Sequence, residues 1–227
     1  MGTTGHQDAE PRRRRGPTYN ARVLTTPRLR LRAWRPEDLE PFAALNADPR
    51  VREFFPSLLS FQESADSAEH IRNHFQERGF GLWAVELLGG APFIGFIGLS
   101  VPSFDAPFMP CVELGYRLAF EHWGQGFATE GSRAALEFGF TAIGLQDIVA
   151  MTTVGNVRSR RVMERLGMTR RRDDDFDHPN IADGHPLRRH VLYRLTAREW
   201  ATRHRPQRRR SPSRTGSVTP RLRGPSS

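Results

Sequence analysis

Hydrophobic positions along the chain alternate between the spacing of a strand and that of a helix. Residues 28–34 alternate strictly, with Leu29 and Leu31 on one face, and this pattern predicts a strand. Residues 36–46 begin with a proline followed by two acids, which is typical of a helix start. Residues 60–79 have helical spacing and end on a glycine, so they predict a second helix.

The second half of the chain predicts a strand–helix–strand crossover. Apolar runs on both sides of a Gly-Gly-Ala turn at 89–91 first predict an antiparallel hairpin. The elements that follow are a strand at 111–118, a helix at about 126–143, a strand at 146–152, a helix at 156–167 and a strand at 188–195. Because a helix of that length returns the chain to its starting edge, the strands around it should be parallel. The predicted fold is α/β, a mixed, mostly antiparallel twisted sheet of six or seven strands with a central parallel pair and about four helices.

Charge is distributed unevenly over the 227 residues, whose formal net charge is +9. Residues 1–27 carry +3 and residues 201–227 carry +8, which leaves −2 for the stretch between them. Both ends are rich in Arg, Pro, Ser and Gly and poor in large apolar residues, so we predict that residues 1–23 and 201–227 are disordered. One domain is expected over residues 24–200.

The basic tails could bind nucleic acid or another acidic surface. The alternative of solvated tails in an arginine-biased sequence is favoured, because the chain contains no lysine. Cys111 is the single cysteine, which excludes an intramolecular disulfide, and no apolar run reaches the ~18 residues of a membrane span. These features predict a cytoplasmic protein that does not enter a membrane.

A loop with two glycines leads from the strand at 111–118 into the long helix. Gly124, Gln125 and Gly126 leave several backbone amides free at the start of that helix, where the helix dipole also favours an anion. Glycine allows a diphosphate to approach the backbone closely, so the loop is suited to a pyrophosphate. By itself the pattern is weak, because a glycine-rich turn into a helix is more often only a turn.

A second pattern lies thirty residues after this loop. On a helix, Asn156, Ser159, Met163 and Leu166 form one stripe that begins polar and becomes apolar. The stripe could belong to a binding site beside the glycine loop. Alternatively, Asn156 caps the helix and Ser159 only occupies its first turn.

Together the segments "VELGYRLAFEHWGQGFATE" and "NVRSRRVMERLGM" resemble the GNAT superfamily of N-acetyltransferases, and more narrowly its ribosomal-protein-alanine N-acetyltransferases. The similarity extends from about residue 25 to residue 200. It implies acetyl-CoA as cosubstrate, with no metal, and an amine acceptor that is a protein N-terminus or a small molecule. The resemblance leaves open a monomer or a homodimer.

The resemblance also assigns residues to the binding of coenzyme A. The superfamily's phosphate loop falls on residues 123–128, although Trp123 departs from the usual Arg or Gln at the first position. Main-chain amides near Tyr116 and Leu118 would stabilise the oxyanion, and Asn156 would meet the pantetheine arm. The implied coenzyme A residues are Tyr116, Leu118, Trp123, Gly124, Gln125, Gly126, Phe127, Ala128, Thr129 and Asn156.

Two residues are candidates for proton transfer. Met163 occupies the position of the general-acid tyrosine found in many relatives, so Ser159, one turn earlier, is the candidate donor to the departing sulfur. An amine must lose a proton to react, and Glu113 is the candidate base, since it shares a strand face with Gly115 and Arg117. The alternative for Glu113 is an ordinary surface carboxylate.

The sequence therefore predicts an acetyl-CoA-dependent N-acetyltransferase in which the amine attacks the thioester directly. The alternative is a non-catalytic module of the same fold that binds acyl-CoA or associates with RNA. Residues 173–185 are rich in acids and precede the last strand. They form either a solvated loop or a wall of the acceptor site.

Overall fold

The structure is a computed structural model that describes residues 22–204. Residues 1–21 and 205–227 of the two predicted tails lie outside the described residues, whereas residues 201–203, predicted to be disordered, belong to a helix. The strands are β1 Leu24–Thr25, β2 Leu29–Arg32, β3 Leu82–Leu87, β4 Gly95–Ser100, β5 Glu113–Leu118, β6 Asp147–Thr153, β7 Thr169–Arg170, β8 Phe176–Asp177 and β9 Arg189–Thr196. The α-helices are α1 Leu39–Ala47, α2 Phe61–Arg78, α3 Phe127–Phe138, α4 Val157–Leu166 and α5 Ala197–Arg203.

All the strands belong to one mixed sheet. Its order is β1-β2-β3-β4-β5-β6-β9-β7, and β8 pairs with the end of β9. The pair β5–β6 is parallel, and the other pairs are antiparallel. The predicted mixed sheet with a central parallel pair joined by a crossover helix is confirmed.

Short elements account for the difference between the predicted and the observed element counts. Strands β1, β7 and β8 have two residues each, too few to produce a visible alternation. Helix α5 also lies beyond the four predicted helices and crosses the predicted boundary at residue 200. Its start carries a sequence signal, because Thr196 and Glu199 form a capping box of the Thr-x-x-Glu type.

Helices cover both faces of the sheet. On one face, Gly131 of α3 lies against Ile97 of β4 with no room for a side chain between them. On the other face, Phe42 of α1 packs edge-on against Phe96, with ring centroids 6.0 Å apart. Residues 96 and 97 therefore point in opposite directions, as the strand period requires. Within residues 22–204, no helix is both long and apolar enough to cross a bilayer.

A buried arginine joins β2 to the first helical turn. The Nη1 and Nη2 atoms of Arg32 donate to the carboxylate of Asp38 at 2.7 and 2.8 Å, and Nε donates to Glu86 at 3.1 Å. Arg32 is 3% exposed and Asp38 is 2% exposed. The Asp38 carboxylate also accepts the backbone N–H of Arg35 at 2.8 Å. One side chain therefore neutralises the buried Arg32 charge and provides an acceptor for a free amide at the start of the helical turn.

Replacement of Asp38 by Ala should destabilise the fold strongly, because it leaves the Arg32 charge buried with Glu86 as its remaining ionic partner. We expect a loss of about 3–5 kcal/mol in the free energy of unfolding, measured by urea titration. The control is Glu37→Ala, since Glu37 is the exposed neighbour in the same turn. Equal stability of the two variants would contradict this account of Asp38.

Candidate functional site

The central cavity lies where β5 and β6 separate. Their register contains one residue pair, Glu113 with Val149, and the Val149 N–H donates to the Val112 carbonyl at 2.9 Å. Beyond this point β5 remains paired with β4, and β6 with β9. The separation opens a cavity of about 820 Å³ that is lined by both strands, the start of α3 and one face of α4.

The glycine loop forms one wall of this cavity. Gly124 and Gly126 have φ angles of 75° and 82°, in the left-handed region that favours glycine, and Gly126 is the residue preceding α3. Among the described residues, no acceptor is bonded to the backbone amides from Gly124 to Thr129. A group of free amides at a helix N-terminus is an anion site, and its span suits a diphosphate.

Side chains from outside the loop hold it in place. The indole Nε1 of Trp123 donates to the Leu118 carbonyl at 2.8 Å, which ties the loop to the end of β5. The Nη1 of Arg28 donates to the Gln125 carbonyl at 3.1 Å, while its Nε donates to Glu130 at 2.7 Å. The Arg28 guanidinium also lies 4.5 Å from the ring centroid of Phe127. These contacts fix the loop without using its amides.

The end of β5 presents further amides to the cavity. The Ala119 N–H donates to the Ile94 carbonyl, which makes Leu118 and Gly95 a pair without mutual hydrogen bonds. Since amide directions alternate along a strand, the N–H groups of Leu118 and Tyr116 point away from β4, toward the separation from β6. These are the two residues assigned to the oxyanion by the sequence resemblance.

Polar residues at the start of α4 are bonded to one another. The Asn156 side chain accepts the Ser159 N–H at 3.1 Å, so it caps the helix, and it donates to Thr152 at 3.0 Å. The hydroxyls of Ser159 and Tyr116 lie 2.9 Å apart, and Tyr116 also donates to the Ser159 carbonyl at 3.0 Å. With the Tyr116 proton on that carbonyl, the Ser159 hydroxyl donates to Tyr116.

Burial keeps the Tyr116 hydroxyl protonated. Removal from water is the main cause that raises the pKa of this phenol above its ordinary value of 10, and the bond with Ser159 opposes that shift. Met163 follows one turn along the same face and is 1% exposed, so its thioether contributes packing and no proton. Tyr116 and Ser159 form the hydroxyl pair on this wall.

Glu113 lies on the opposite face of β5 from Tyr116 and lines the same cavity. Its carboxylate makes no hydrogen bond or ion pair with any described residue, and desolvation raises its pKa from 4.5 to about 7. A carboxylate that titrates near neutral pH in a cleft is suited to accept a proton at pH 7–8. Glu113 is therefore no ordinary surface carboxylate.

The acid-rich segment 173–185 contributes side chains to the cavity wall, but none of them is acidic. His178, Asn180 and Ile181 line the cavity. Its acids Asp175, Asp177 and Asp183 are instead paired with arginines of the same region. Within residues 22–204, no group of three or more His, Cys, Asp or Glu side chains has the arrangement of a metal site.

Eleven of the twelve predicted site residues line this one cavity. The exception is Gln125, whose side chain is exposed and donates to the Glu121 carbonyl at 3.1 Å. Sequence reasoning assigned no role to Arg117, to His178 and His190, or to Phe55, which also line the cavity. The sequence shows that Arg117 shares a strand face with Glu113. The contacts of Arg117, however, come from α1 and from the segment that follows α1.

Comparison with known proteins agrees with this geometry. Residues 28–169 match the family model described as the acetyltransferase (GNAT) domain. The chain is 30% identical over 202 residues to the FsC-acetyl coenzyme A-N(2)-transacetylase of Aspergillus fumigatus, covering 83% of this chain and 82% of that protein. It is 32% identical over 148 residues to the uncharacterized protein YkkB of Bacillus subtilis, covering 64% and 84%.

A solved structure supports the fold. The crystal structure of a GNAT-family acetyltransferase from Bacillus anthracis superposes with a TM-score of 0.65 at 22% identity, covering 78% of this chain and 100% of that one. The family match covers more than half of the chain, and the relative from Aspergillus matches over most of its length. The chain therefore belongs to the GNAT family and is an acetyl-CoA-dependent acetyltransferase.

Proposed function

We propose that the protein transfers an acetyl group from acetyl-CoA to a primary amine, which attacks the thioester directly. The observation that carries the proposal is the unpartnered Glu113 carboxylate in the same cavity as the free amides of residues 124–129. One group can take a proton from an amine, and the other can hold a diphosphate. The name of the Aspergillus relative, an N(2)-transacetylase, supports a nitrogen acceptor.

In this proposal the two faces of β5 have different tasks. The face with Tyr116 and Ser159 meets acetyl-CoA, whose thioester supplies the activated acetyl group. The amides of Tyr116 and Leu118 stabilise negative charge on the reacting carbonyl. The Ser159 hydroxyl turns its proton from Tyr116 to the departing sulfur, while Tyr116 keeps its bond to the Ser159 carbonyl. Glu113, on the opposite face, removes the proton from the amine directly or through a water.

Direct attack is favoured because the one cysteine is unsuited to carry an acyl group. Burial, followed by the nearby Glu113 charge, raises the pKa of Cys111 to about 11. Its sulfur contacts Met109 at 3.3 Å within a small apolar cluster. A thiol in this environment stays protonated at neutral pH and is a poor nucleophile.

The acceptor can be a protein N-terminus, as in the ribosomal-protein-alanine N-acetyltransferases that the sequence resembles, or a small amine. An assay of acetyl-CoA consumption against N-terminal peptides and small amines tests the proposal and separates these classes. Transfer to at least one primary amine is expected. Binding of acetyl-CoA without transfer to any amine of the panel would contradict it.

Gly126→Asp should abolish coenzyme A binding, because a carboxylate at the helix start repels a diphosphate and a side chain blocks its approach. The strain that a φ of 82° imposes on Asp is matched in the control below. Calorimetry should show at least a 100-fold loss of affinity. The control is Gly144→Asp, which has a similar φ of 81° and open space around its Cβ position. Unchanged affinity in a folded Gly126→Asp protein would refute the assignment of the loop.

Glu113→Gln should lower kcat/KM most between pH 7 and 8. In this window the carboxylate, with a pKa of about 7, is ionised, while an α-amine with a pKa of ~8 still carries its proton. We expect a loss of about 100-fold there and a smaller loss at pH 9–10, where the amine is neutral without help. A variant profile that parallels wild type at every pH would exclude Glu113 as the base.

The same substitution provides a control for the pKa of Glu113. Because the folded-state pKa is raised above 4.5, burial of the charged form destabilises the protein as pH rises from about 4.5 to 7. The melting temperature of Glu113→Gln should therefore exceed that of wild type at pH 8.5 and approach it at pH 5. Coenzyme A affinity should be unchanged at both pH values.

Ser159→Ala should reduce kcat by about 10-fold at every pH, since a hydrogen bond of ~1.4 kcal/mol to the departing sulfur does not depend on the amine. Tyr116→Phe should have a similar effect if the two hydroxyls act as one donor. The double variant should then be little worse than either single variant. Initial rates with saturating acetyl-CoA measure these losses. Fully additive losses in the double variant would contradict a shared role.

A further inference from the structure

Arg117 is a cavity-lining cation that has no carboxylate partner. It follows Glu113 by four residues on the same face of β5. Its Nη1 donates to the amide oxygen of Asn46 at 2.7 Å, and its Nε is buried without any hydrogen-bond partner. Its Nη2 also has no partner among the described residues and is not buried, so it is the donor that a ligand can reach. No acid among the described residues forms an ion pair with it.

Two aromatic rings lie close to the Arg117 guanidinium. The Arg117 Cζ lies 4.1 Å from the ring centroid of Phe55 and 5.2 Å from that of Phe96. Burial, and then the charge of nearby Arg52, lowers the pKa of Arg117 to about 9, so the side chain stays cationic at neutral pH. A fixed, desolvated guanidinium with a free donor is costly for the fold alone but suited to receive a planar oxyanion.

The position of Arg117 distinguishes it from the coenzyme A wall. Side chains alternate along β5, so Arg117 and Glu113 project toward α1, whereas Tyr116 projects toward Ser159 of α4. The free loop amides are at the start of α3, which packs on the sheet face opposite to α1. Arg117 therefore belongs to the part of the cavity where Glu113 would meet the acceptor.

We propose that Arg117 binds a carboxylate of the acceptor, so that the preferred substrates are amines that carry a carboxylate several bonds from the reacting nitrogen. This inference rests on the proposed function for the position of the amine beside Glu113. The Cα atoms of residues four apart on a strand are ~13 Å apart, and both side chains line the cavity. An ω-amino acid or a peptide with an acidic side chain spans this distance, whereas the adjacent groups of one α-amino acid do not.

Charge along the cavity agrees with an anionic acceptor. Glu113 is the one acidic side chain among the described residues that line it, and five arginines line it as well. Of those other than Arg117, Arg50 and Arg158 pair with acids outside the lining, whereas Arg161 and Arg165 form no ion pair with a described residue. An acceptor with additional positive charge would meet repulsion here, and an acceptor with a carboxylate would supply the counterion that Arg117 lacks.

The test compares 6-aminohexanoate with its neutral amide, 6-aminohexanamide, as ligands of the full-length protein saturated with coenzyme A. Calorimetry should show at least 10-fold tighter binding of the carboxylate to wild type. Arg117→Gln should bind both probes equally, and Arg117→Lys should retain only part of the preference because it lacks the planar fork. The control Arg30→Gln removes an arginine of β2 that pairs with Glu86 outside the cavity, and it should keep the full preference.

A second variant leaves Arg117 in place. Asn46→Asp puts a carboxylate where the amide oxygen now lies, 2.7 Å from the guanidinium, so Arg117 should become satisfied within the protein. The preference for 6-aminohexanoate should disappear, and the melting temperature without ligand should rise. Arg117→Met should also raise the melting temperature while removing the preference, which a merely structural arginine would not do.

Two results would overturn the proposal. One is equal affinity of wild type for the two probes, including no binding of either. The other is a full preference in Arg117→Gln, whether or not its KM for acetyl-CoA is raised. Turnover of the same probes separates this inference from the proposed function. Carboxylate-selective binding without acetylation of either probe supports the subsite and counts against amine acetylation, which the panel of amines then decides. Acetylation of both probes with equal kcat/KM refutes the subsite alone.

Discussion

The separation of two parallel strands after a single residue pair is the constraint on which the site depends. β5 is held by six pairs to β4, and β6 by seven pairs to β9, while β5 and β6 meet only at Glu113 and Val149. Because a parallel pair needs a crossover helix, α3 must begin near the point of separation. The cavity, the helix N-terminus beside it and the unpaired amides at the end of β5 therefore share one cause.

The site is a concentration of groups whose bonding potential the fold leaves unused. The loop amides, the Glu113 carboxylate and the Arg117 guanidinium have few or no partners among the described residues. Each such group opposes folding, and together they provide donors, a base and a cation at fixed positions. The rest of the domain compensates with satisfied interactions. Among the described residues, Arg32–Asp38 is the most deeply buried ion pair.

The alternation of side chains along β5 separates the two halves of a transfer reaction. Tyr116 meets the first turn of α4 on one face, and Glu113 and Arg117 meet the α1 side on the other. Between them, Gly115 has no side chain, and its nearest neighbour at the Cβ position is Leu82 at 3.2 Å. One strand can thereby present amides to a thioester while its opposite face positions a base.

The sequence by itself determined the order of the long elements, the parallel crossover and the glycine loop, because these depend on periodicity and on residues close together in the chain. It offered a helix cap as the alternative to a coenzyme A contact for Asn156, and the structure shows the cap. The two-residue strands are too short to produce a periodic pattern. Helix α5 was missed although its capping box is visible in the sequence. Only the tertiary structure decided the state of Glu113, the bond between Ser159 and Tyr116, and the isolation of Arg117. The two hydrogen bonds join residues that are 43 and 71 positions apart, and the state of Glu113 depends on burial. Neither distant contacts nor burial can be read from a local sequence pattern.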